Sequence, residues 1–234
     1  NGTGIGTFND RLRDAIRGGG ASDAVENLIK LPGFISGQTS SAHAAEQIRA
    51  GLAGSLRSYL MTSADGSIKA LQDIPYGDQP TGYTSQPSEV VNYAENHDNL
   101  SLFDSLAYKL PRSTSSAERA RVQVLAGALV AFSQGVAYFH AGQEILRSKS
   151  LDGNSYDSGD AFNVLDWTYQ SNRFGHATPG SALGGGLADI GNQFRRHVGV
   201  NNPPHRQPKQ FLTRVAGHFG KGRVDVGQVE VKIV

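Results

Sequence analysis

The residues of this chain best suited to chemistry are Asn96, His97, Asp98 and Asn99. They end the stretch from Val90 to Asn99, in which apolar and β-favouring residues run directly into polar ones. This pattern predicts a buried strand that ends in a site, because the carboxyl ends of parallel strands in a barrel face a common pocket. The alternative is an Asx turn in which Asp98 caps the next segment, since Asn and Asp are ordinary turn residues.

Elements on both sides would position this cluster. Before the cluster, the patterns predict a short strand within Gly2 to Phe8, a helix that is capped by Asn9 and runs to Arg17 before Gly18, a helix from about Ala44 to Leu60, and a turn at Asp65-Gly66. After the cluster, they predict a helix that begins at the capping box of Ser115 and Glu118 and ends at Gln134-Gly135. A strand from Val136 to Phe139 and a short helix from Ala188 to His197 follow. The central strand, the capped helix and the strand after it form one right-handed βαβ unit. That unit would place His97-Asp98 and the segment from His140 to Glu144 on one rim.

Composition excludes several classes of function. The 234 residues are 38% hydrophobic and 18% charged, which is typical of a globular chain. The net charge is +1 and no basic block stands out, so we expect no nucleic-acid partner. The absence of cysteine excludes disulfides and thiolate metal sites, and no apolar run is long enough to span a bilayer. We therefore expect a soluble protein with no membrane partner.

Blocks of sequence in a fixed order resemble the pullulanase-type debranching enzymes, the limit-dextrinase branch of the α-amylase clan. The blocks that carry this resemblance are GTGIGTFNDR (2–11), RDAIRGG (13–19), GLAGSLR (51–57), GYT (82–84), NY (92–93), HDN (97–99), LFD (102–104), HAGQE (140–144), LRSK (146–149), NSYDSGD (154–160) and DW (166–167). The number of blocks, and their occurrence in the family's order, argue against a chance resemblance.

The resemblance implies an α/β fold: residues 1–196 would be the C-terminal part of a (β/α)8 TIM barrel. Residues 197–234 are unlike the family: they contain Pro203-Pro204, and four of the seven His residues of the chain lie between His176 and the end. They would form a divergent tail where a β-rich C-terminal domain would start; a frameshift and simple divergence are alternative explanations. The start at Asn1 suggests an excerpt, so the missing N-terminal half of the barrel would be a partner.

The implied activity is hydrolysis of α-1,6-glucosidic linkages in pullulan, starch-derived dextrins or glycogen, with retention of configuration. By resemblance, Asp98 is the transition-state-stabilising carboxylate, His97 donates to a hydroxyl of the same sugar, and Asn99 supports the pair. The nucleophile and general acid would lie upstream of residue 1. We therefore expect the chain alone to be inactive. Two alternatives are another clan enzyme, such as an isoamylase-like enzyme or a transferase, and a non-catalytic carbohydrate-binding remnant.

The long loop (residues 147–172) contains the segment from Asn154 to Asp166, where the resemblance implies substrate closure and branch specificity, with Asn154, Tyr156 and Asp160 as substrate-binding residues. It departs from the family at Ala161, usually Trp, and at Val164, usually basic, which removes an aromatic platform and a cation. The resemblance makes calcium possible, but the sequence contains no EF-hand-type loop, so we expect no cofactor. The compartment stays open between extracellular, cytoplasmic and plastid.

Two further groups of residues have alternative explanations. Tyr76 and Tyr83 could stack on sugar rings, although loop aromatics more often serve packing. Asp10 and Asp14 are interpreted as helix charges, and Glu144 as a structural acceptor at the rim.

Overall fold

A computed structural model describes residues 2–20, 23, 27, 31–37, 42–111 and 113–174. Its main sheet has three parallel strands in the order β1 (Thr7–Phe8), β6 (Val90–Asn92) and β7 (Val136–Ala137). Thr7 pairs with Val90, and Val91 pairs with Val136. The central strand predicted from sequence is confirmed, and so is its parallel pairing with the strand that leads to His140.

The remaining strands form two short antiparallel hairpins. Their strands are β2 (Leu60–Thr62) with β3 (Ile68–Ala70), and β4 (Pro75–Tyr76) with β5 (Gln79–Pro80). The turn of the first hairpin contains Asp65 and Gly66, as predicted: the Ser67 amide donates to Asp65 Oδ1 (2.9 Å) and Gly66 has a φ of +84°. Gly satisfies that left-handed conformation at no steric cost.

Helix α1 (Asp10–Arg17) begins and ends where the sequence predicts. The side chain of Asn9 accepts a hydrogen bond from the Leu12 amide, and Gly18 follows the last turn. Asp10 in the first turn and Arg17 in the last turn both complement the helix dipole. Leu12 and Ile16 are fully buried, so the helix lies against the core through one face.

Helix α2 (Ala42–Leu52) is shorter than the predicted helix from about Ala44 to Leu60, so the predicted end was wrong. The chain leaves the helix through Gly54 and Ser55, whose φ values of +73° and +50° are left-handed. Helical spacing of the later apolar residues misled the prediction, because Leu60 belongs to the first hairpin and is largely exposed. The left-handed backbone at Gly54 ends the helix even though apolar residues continue at helical spacing.

Helices α3 (Leu102–Lys109) and α4 (Ser116–Ala131) separate β6 from β7 along the chain. The predicted capping box is confirmed, since Ser115 and Glu118 exchange hydrogen bonds between side chain and backbone. Ser101 caps α3 by accepting from the Asp104 amide (3.2 Å). A four-residue helix α5 (Asp160–Asn163) lies in the long loop.

The core lies between the sheet-flanking helices. Its buried residues come from α1, α2, α3, α4 and the segments beside them: Leu12, Ala15, Ile16, Ile35, Ile48, Ala94, Leu102, Leu106, Leu110, Ala126 and Val130. A smaller cluster of Ala50, Leu71 and Ile74 packs under the first hairpin. The predicted helix from Ala188 to His197 and the tail 197–234 lie outside the described residues.

Candidate functional site

The candidate site lies at the carboxyl end of β6, the central strand of the parallel sheet. Asn92, Tyr93, Ala94 and Glu95 are buried as the strand ends, and the chain then reaches solvent at His97. We call residues 96–101 the polar loop. Burial changes to exposure within two residues, which is the change that the sequence pattern predicted for a strand that ends in a site.

His97 and Asp98 lie side by side in the polar loop. His97 Nε2 is 3.5 Å from Asp98 Oδ1, and the two side chains are 77% and 70% exposed. The Asn96 side chain accepts from the Asp98 amide (2.9 Å), which is an Asx turn, and Asn99 has a left-handed φ of 61°. The turn alternative is therefore present in the structure, and it leaves the Asp98 carboxylate facing solvent rather than capping α3.

Below the loop, the side chain of Asn92 in β6 forms hydrogen bonds to the residue that follows β1 and to the segment that precedes β7. Its Oδ1 accepts from Asn9 Nδ2 (2.9 Å), and its Nδ2 donates to the Gln134 carbonyl oxygen (2.8 Å). Asn9 also donates to Ser55 Oγ (3.1 Å). All the side-chain amide groups named here are buried in a satisfied network, which fixes the height of β6 relative to α1.

Tyr93 makes both hydrogen bonds and aromatic ring contacts, which the sequence did not predict. Its hydroxyl donates to Asp10 and accepts from Arg13, while its ring packs edge-on against Phe8 (centroids 4.9 Å apart) and near Tyr138 (6.4 Å). Burial, together with the Asp10 carboxylate, raises the pKa of Tyr93. Asp10 thus serves this network, in agreement with its interpretation as a structural charge.

Glu95 and His140 form a buried pair between the ends of β6 and β7, the two segments that the sequence predicted to lie on one rim. Glu95 Oε1 lies 3.5 Å from His140 Nδ1, and His140 Nε2 lies 3.2 Å from Arg147 Nη1. Arginine has only donors, so the contact with Arg147 is a hydrogen bond only in the tautomer whose Nε2 accepts. The other Glu95 oxygen accepts from the Leu102 amide at the start of α3. Glu95 therefore holds the residue that closes the polar loop.

A second buried acid, Asp104, joins α3 to the long loop. Its Oδ1 accepts from the Ser148 hydroxyl and its Oδ2 from the Lys149 amide (2.7 Å). Burial raises the pKa of Asp104 to about 6, although these hydrogen bonds oppose the shift. The Lys149 side chain then returns to the polar loop, where Nζ donates to the His97 carbonyl oxygen (2.9 Å).

The long loop places part of the predicted substrate-binding set near the polar loop. A methyl group built at Gly153 would lie 4.0 Å from the Asn99 Cα, so the two loops are adjacent. Asn154 is exposed and its amide donates to Asp152 Oδ1 (2.8 Å). Tyr156 is 83% exposed. Asp160 is exposed at the start of α5.

The loop tyrosines serve packing, as the sequence analysis favoured. The Arg11 guanidinium lies over the rings of Tyr76 (5.1 Å) and Tyr83 (4.3 Å). The Tyr76 hydroxyl donates to Asp14 Oδ2 (2.5 Å), so Asp14 also belongs to this structural group. Glu144 accepts from the Gly142 amide (3.1 Å) within its own turn.

The described ranges contain neither a metal-ligand cluster nor a membrane-spanning helix. Clusters of three or more His, Asp or Glu side chains suited to a metal ion do not occur there. Nor does any helix in that part of the chain have the length and apolar character needed to cross a membrane.

Several curated proteins are similar to this sequence. A pullulanase from Klebsiella aerogenes is 40% identical over 201 residues, which are 81% of this chain and 18% of that protein. Pullulanase 1, chloroplastic, from Arabidopsis thaliana is 40% identical over 191 residues, or 76% of this chain and 20% of the relative. The chain thus spans about a fifth of the length of these relatives. No family model matches it.

Solved structures agree with the sequence comparison. A maltotriose complex of PulA from Klebsiella pneumoniae has a TM-score of 0.76 at 37% identity and covers 90% of this chain, which itself covers 24% of that structure. PulA from Klebsiella oxytoca has a TM-score of 0.79 at 37% identity, with 90% of this chain and 21% of that structure covered. The similarity therefore extends over most of this chain.

Proposed function

This chain is pullulanase-type, homologous to one segment of those proteins, and we propose that it forms part of a glycoside hydrolase site that cleaves α-1,6-glucosidic linkages. The substrates would be pullulan, branched dextrins or glycogen. The observation that carries the proposal is the adjacent and solvent-facing pair of His97 and Asp98 at the carboxyl end of a central parallel strand. The maltotriose bound in the Klebsiella pneumoniae relative supports an oligosaccharide ligand.

In this proposal, residues 1–196 are the C-terminal part of a (β/α)8 barrel, and residues 197–234 are a divergent tail. Support comes from the parallel order β1, β6, β7 with helical connections. Barrel enzymes place their active sites where the strands end at the carboxyl side. The remaining strands, with the nucleophile and the general acid, would come from other parts of the same barrel.

Asp98 would act by transition-state stabilisation. Retaining glycosidases use a nucleophilic carboxylate and an acid about 5 Å apart, and the reacting sugar becomes oxocarbenium-like. A third carboxylate that accepts hydrogen bonds from sugar hydroxyls raises the rate only where those bonds strengthen in the transition state. His97 would donate to the same sugar, and Asn99 would hold the turn that presents both.

Asn154, Tyr156 and Asp160 would contact substrate from the long loop. Their exposure, and the packing of Gly153 against Asn99, support a surface that continues from the polar loop. Ala161 and Val164 stand where the resemblance implies Trp and a basic residue. We therefore propose that this loop binds the sugar through fewer contacts than in its relatives, with a correspondingly higher KM.

The test is pullulan hydrolysis by the protein expressed from the complete open reading frame that encodes this chain. Asp98→Asn removes the charge and keeps the size of the side chain. We expect kcat to fall by about 10³-fold, because an electrostatic contact to the developing charge is lost. The matched control is Asp73→Asn, an exposed carboxylate at the end of a 3-10 turn, which should leave kcat unchanged.

The outcomes separate the alternatives. A folded Asp98→Asn variant with wild-type kcat would contradict the assigned role and leave the pair as a structural turn. Maltotriose binding without hydrolysis of any α-glucan would favour the carbohydrate-binding remnant. Cleavage of α-1,4 linkages or glucan transfer would favour another clan enzyme. Residues 1–234 expressed alone should be inactive in the same assay.

A further inference from the structure

The polar loop accepts a hydrogen bond from Lys149, a buried cation that is distant in sequence but adjacent in space. Lys149 is 2% exposed, and its Nζ donates to the His97 carbonyl oxygen (2.9 Å), 52 residues away in sequence. This carbonyl belongs to the peptide that joins His97 to Asp98. The contact therefore fixes the backbone from which the proposed stabilising carboxylate projects, without touching the carboxylate itself.

Lys149 is itself held at its backbone. Asp104 is fully buried and accepts from both the Lys149 amide (2.7 Å) and the Ser148 hydroxyl. Asp104 lies in the first turn of α3, three residues after the N-cap Ser101 at which the polar loop ends. The loop, the start of α3 and the segment 148–149 therefore form one closed hydrogen-bonded circuit.

Burying this ammonium group is costly, which argues for a specific use. Desolvation lowers the pKa of Lys149, and the nearby positive charge of Arg147 lowers it further. A lysine with a free path to solvent would extend its amino group there. Here the side chain stays inside, where a charge-assisted hydrogen bond to a carbonyl is stronger than a neutral one.

We propose that Lys149 is a positioning residue that sets the orientation of Asp98 through the His97 carbonyl, with Asp104 holding Lys149 in place. This inference rests on the proposed function, since it assigns Lys149 a role toward the same site. A displacement of about 1 Å at a catalytic group costs about 100-fold in rate. A contact that strengthens only in the transition state changes kcat rather than KM, so KM should change little.

The experiment measures kcat and KM on pullulan for the protein from the complete open reading frame, with Lys149→Met and Lys149→Gln. We expect kcat to fall about 100-fold while KM stays within about twofold. The matched control is Lys69→Met, which removes a lysine that donates to the exposed Asp65 (2.6 Å) in the first hairpin and should change neither parameter. A purely structural lysine would not produce this split.

If a folded Lys149 variant keeps kcat within about threefold of wild type, the proposal is wrong. If neither Lys149→Met nor Lys149→Gln folds, the residue supports the whole fold rather than the loop, and the proposal is equally wrong.

Failure of the proposed function is recognised separately, because the wild type would then hydrolyse no glucan. In that case hydrogen exchange decides: the amides of Asp98 and Asn99 should exchange at least about tenfold faster in Lys149→Met, with α4 unchanged. Equal exchange rates in the polar loop would overturn the positioning role.

Discussion

Asp104 should make the stability of this protein fall as the pH rises through the mildly acidic range. Its carboxyl is fully buried on α3, and burial raises its pKa from an ordinary value of 3.8 to about 6. The unfolded chain therefore releases this proton at a lower pH than the folded protein does. Stability from this group is complete below about pH 4 and is lost as the pH rises through about 6.

The magnitude follows from the size of the shift. A difference of about two pKa units corresponds to about 3 kcal/mol of unfolding free energy, at about 1.4 kcal/mol for each unit. Asp104→Asn keeps an acceptor for the Lys149 amide and cannot ionise. The unfolding free energy of wild type minus that of the variant should therefore decrease by about 3 kcal/mol between pH 3.5 and pH 7.

Urea unfolding at several pH values measures this difference. The comparison with a variant is needed because Glu89 acts in the opposite direction: hydrogen bonds from the Ser85 amide and hydroxyl, and from the amides of Gly2 and Gly4, lower its pKa to about 2. Carbon-13 NMR of the Asp104 carboxyl should give a midpoint near pH 6. A midpoint at or below pH 4, with parallel stability profiles for both proteins, would refute the reasoning.

Two further predictions concern the elements under the site. Asn9→Ala should lower the unfolding free energy by about 2–4 kcal/mol, because it removes an N-cap and leaves the buried Asn92 side chain without its donor. Urea unfolding measures this loss, and a value below about 1 kcal/mol would contradict the prediction. Gly135→Ala should cost about 2 kcal/mol or more, because φ is +120° and the new methyl group would lie 2.4 Å from Val90 Cγ1. Its control is Gly127→Ala in α4, where the new methyl group would meet nothing within 4 Å besides its chain neighbours and the backbone of its own helix. This variant should be neutral or slightly stabilising in the same assay.

Sequence patterns predicted the elements whose signals are local. The N-cap at Asn9, the capping box at Ser115 and the strand that begins at Val90 each depend on neighbouring residues, and all three are confirmed. The end of α2 was mispredicted because the left-handed backbone at Gly54 and Ser55 stops the helix while apolar spacing continues. Periodicity reports which residues are apolar, and it does not report where the chain turns.

For the site, the exposed residues were predictable and the buried ones were not. His97 and Asp98 follow directly from a strand that ends in polar residues, and the structure places them at that position. Glu95, Asp104 and Lys149 are charged residues that composition rules assign to the surface, yet all three are buried. Their partners lie on other elements, so a single sequence gives no sign of the pairing.

The parallel pairing of β1 with β6 also constrains how the protein is made. Asn9 and Asn92, which join these two elements, are 83 residues apart. A ribosome adding about 5–20 residues per second needs roughly 4–17 s to cover that interval. Throughout this time the first strand has no β6 to pair with, and the apolar face of α1 lacks the partners that come later in the chain. Translation speed between the codons for Asn9 and Asn92 therefore sets how long the nascent chain exposes that apolar surface to chaperones and to other chains.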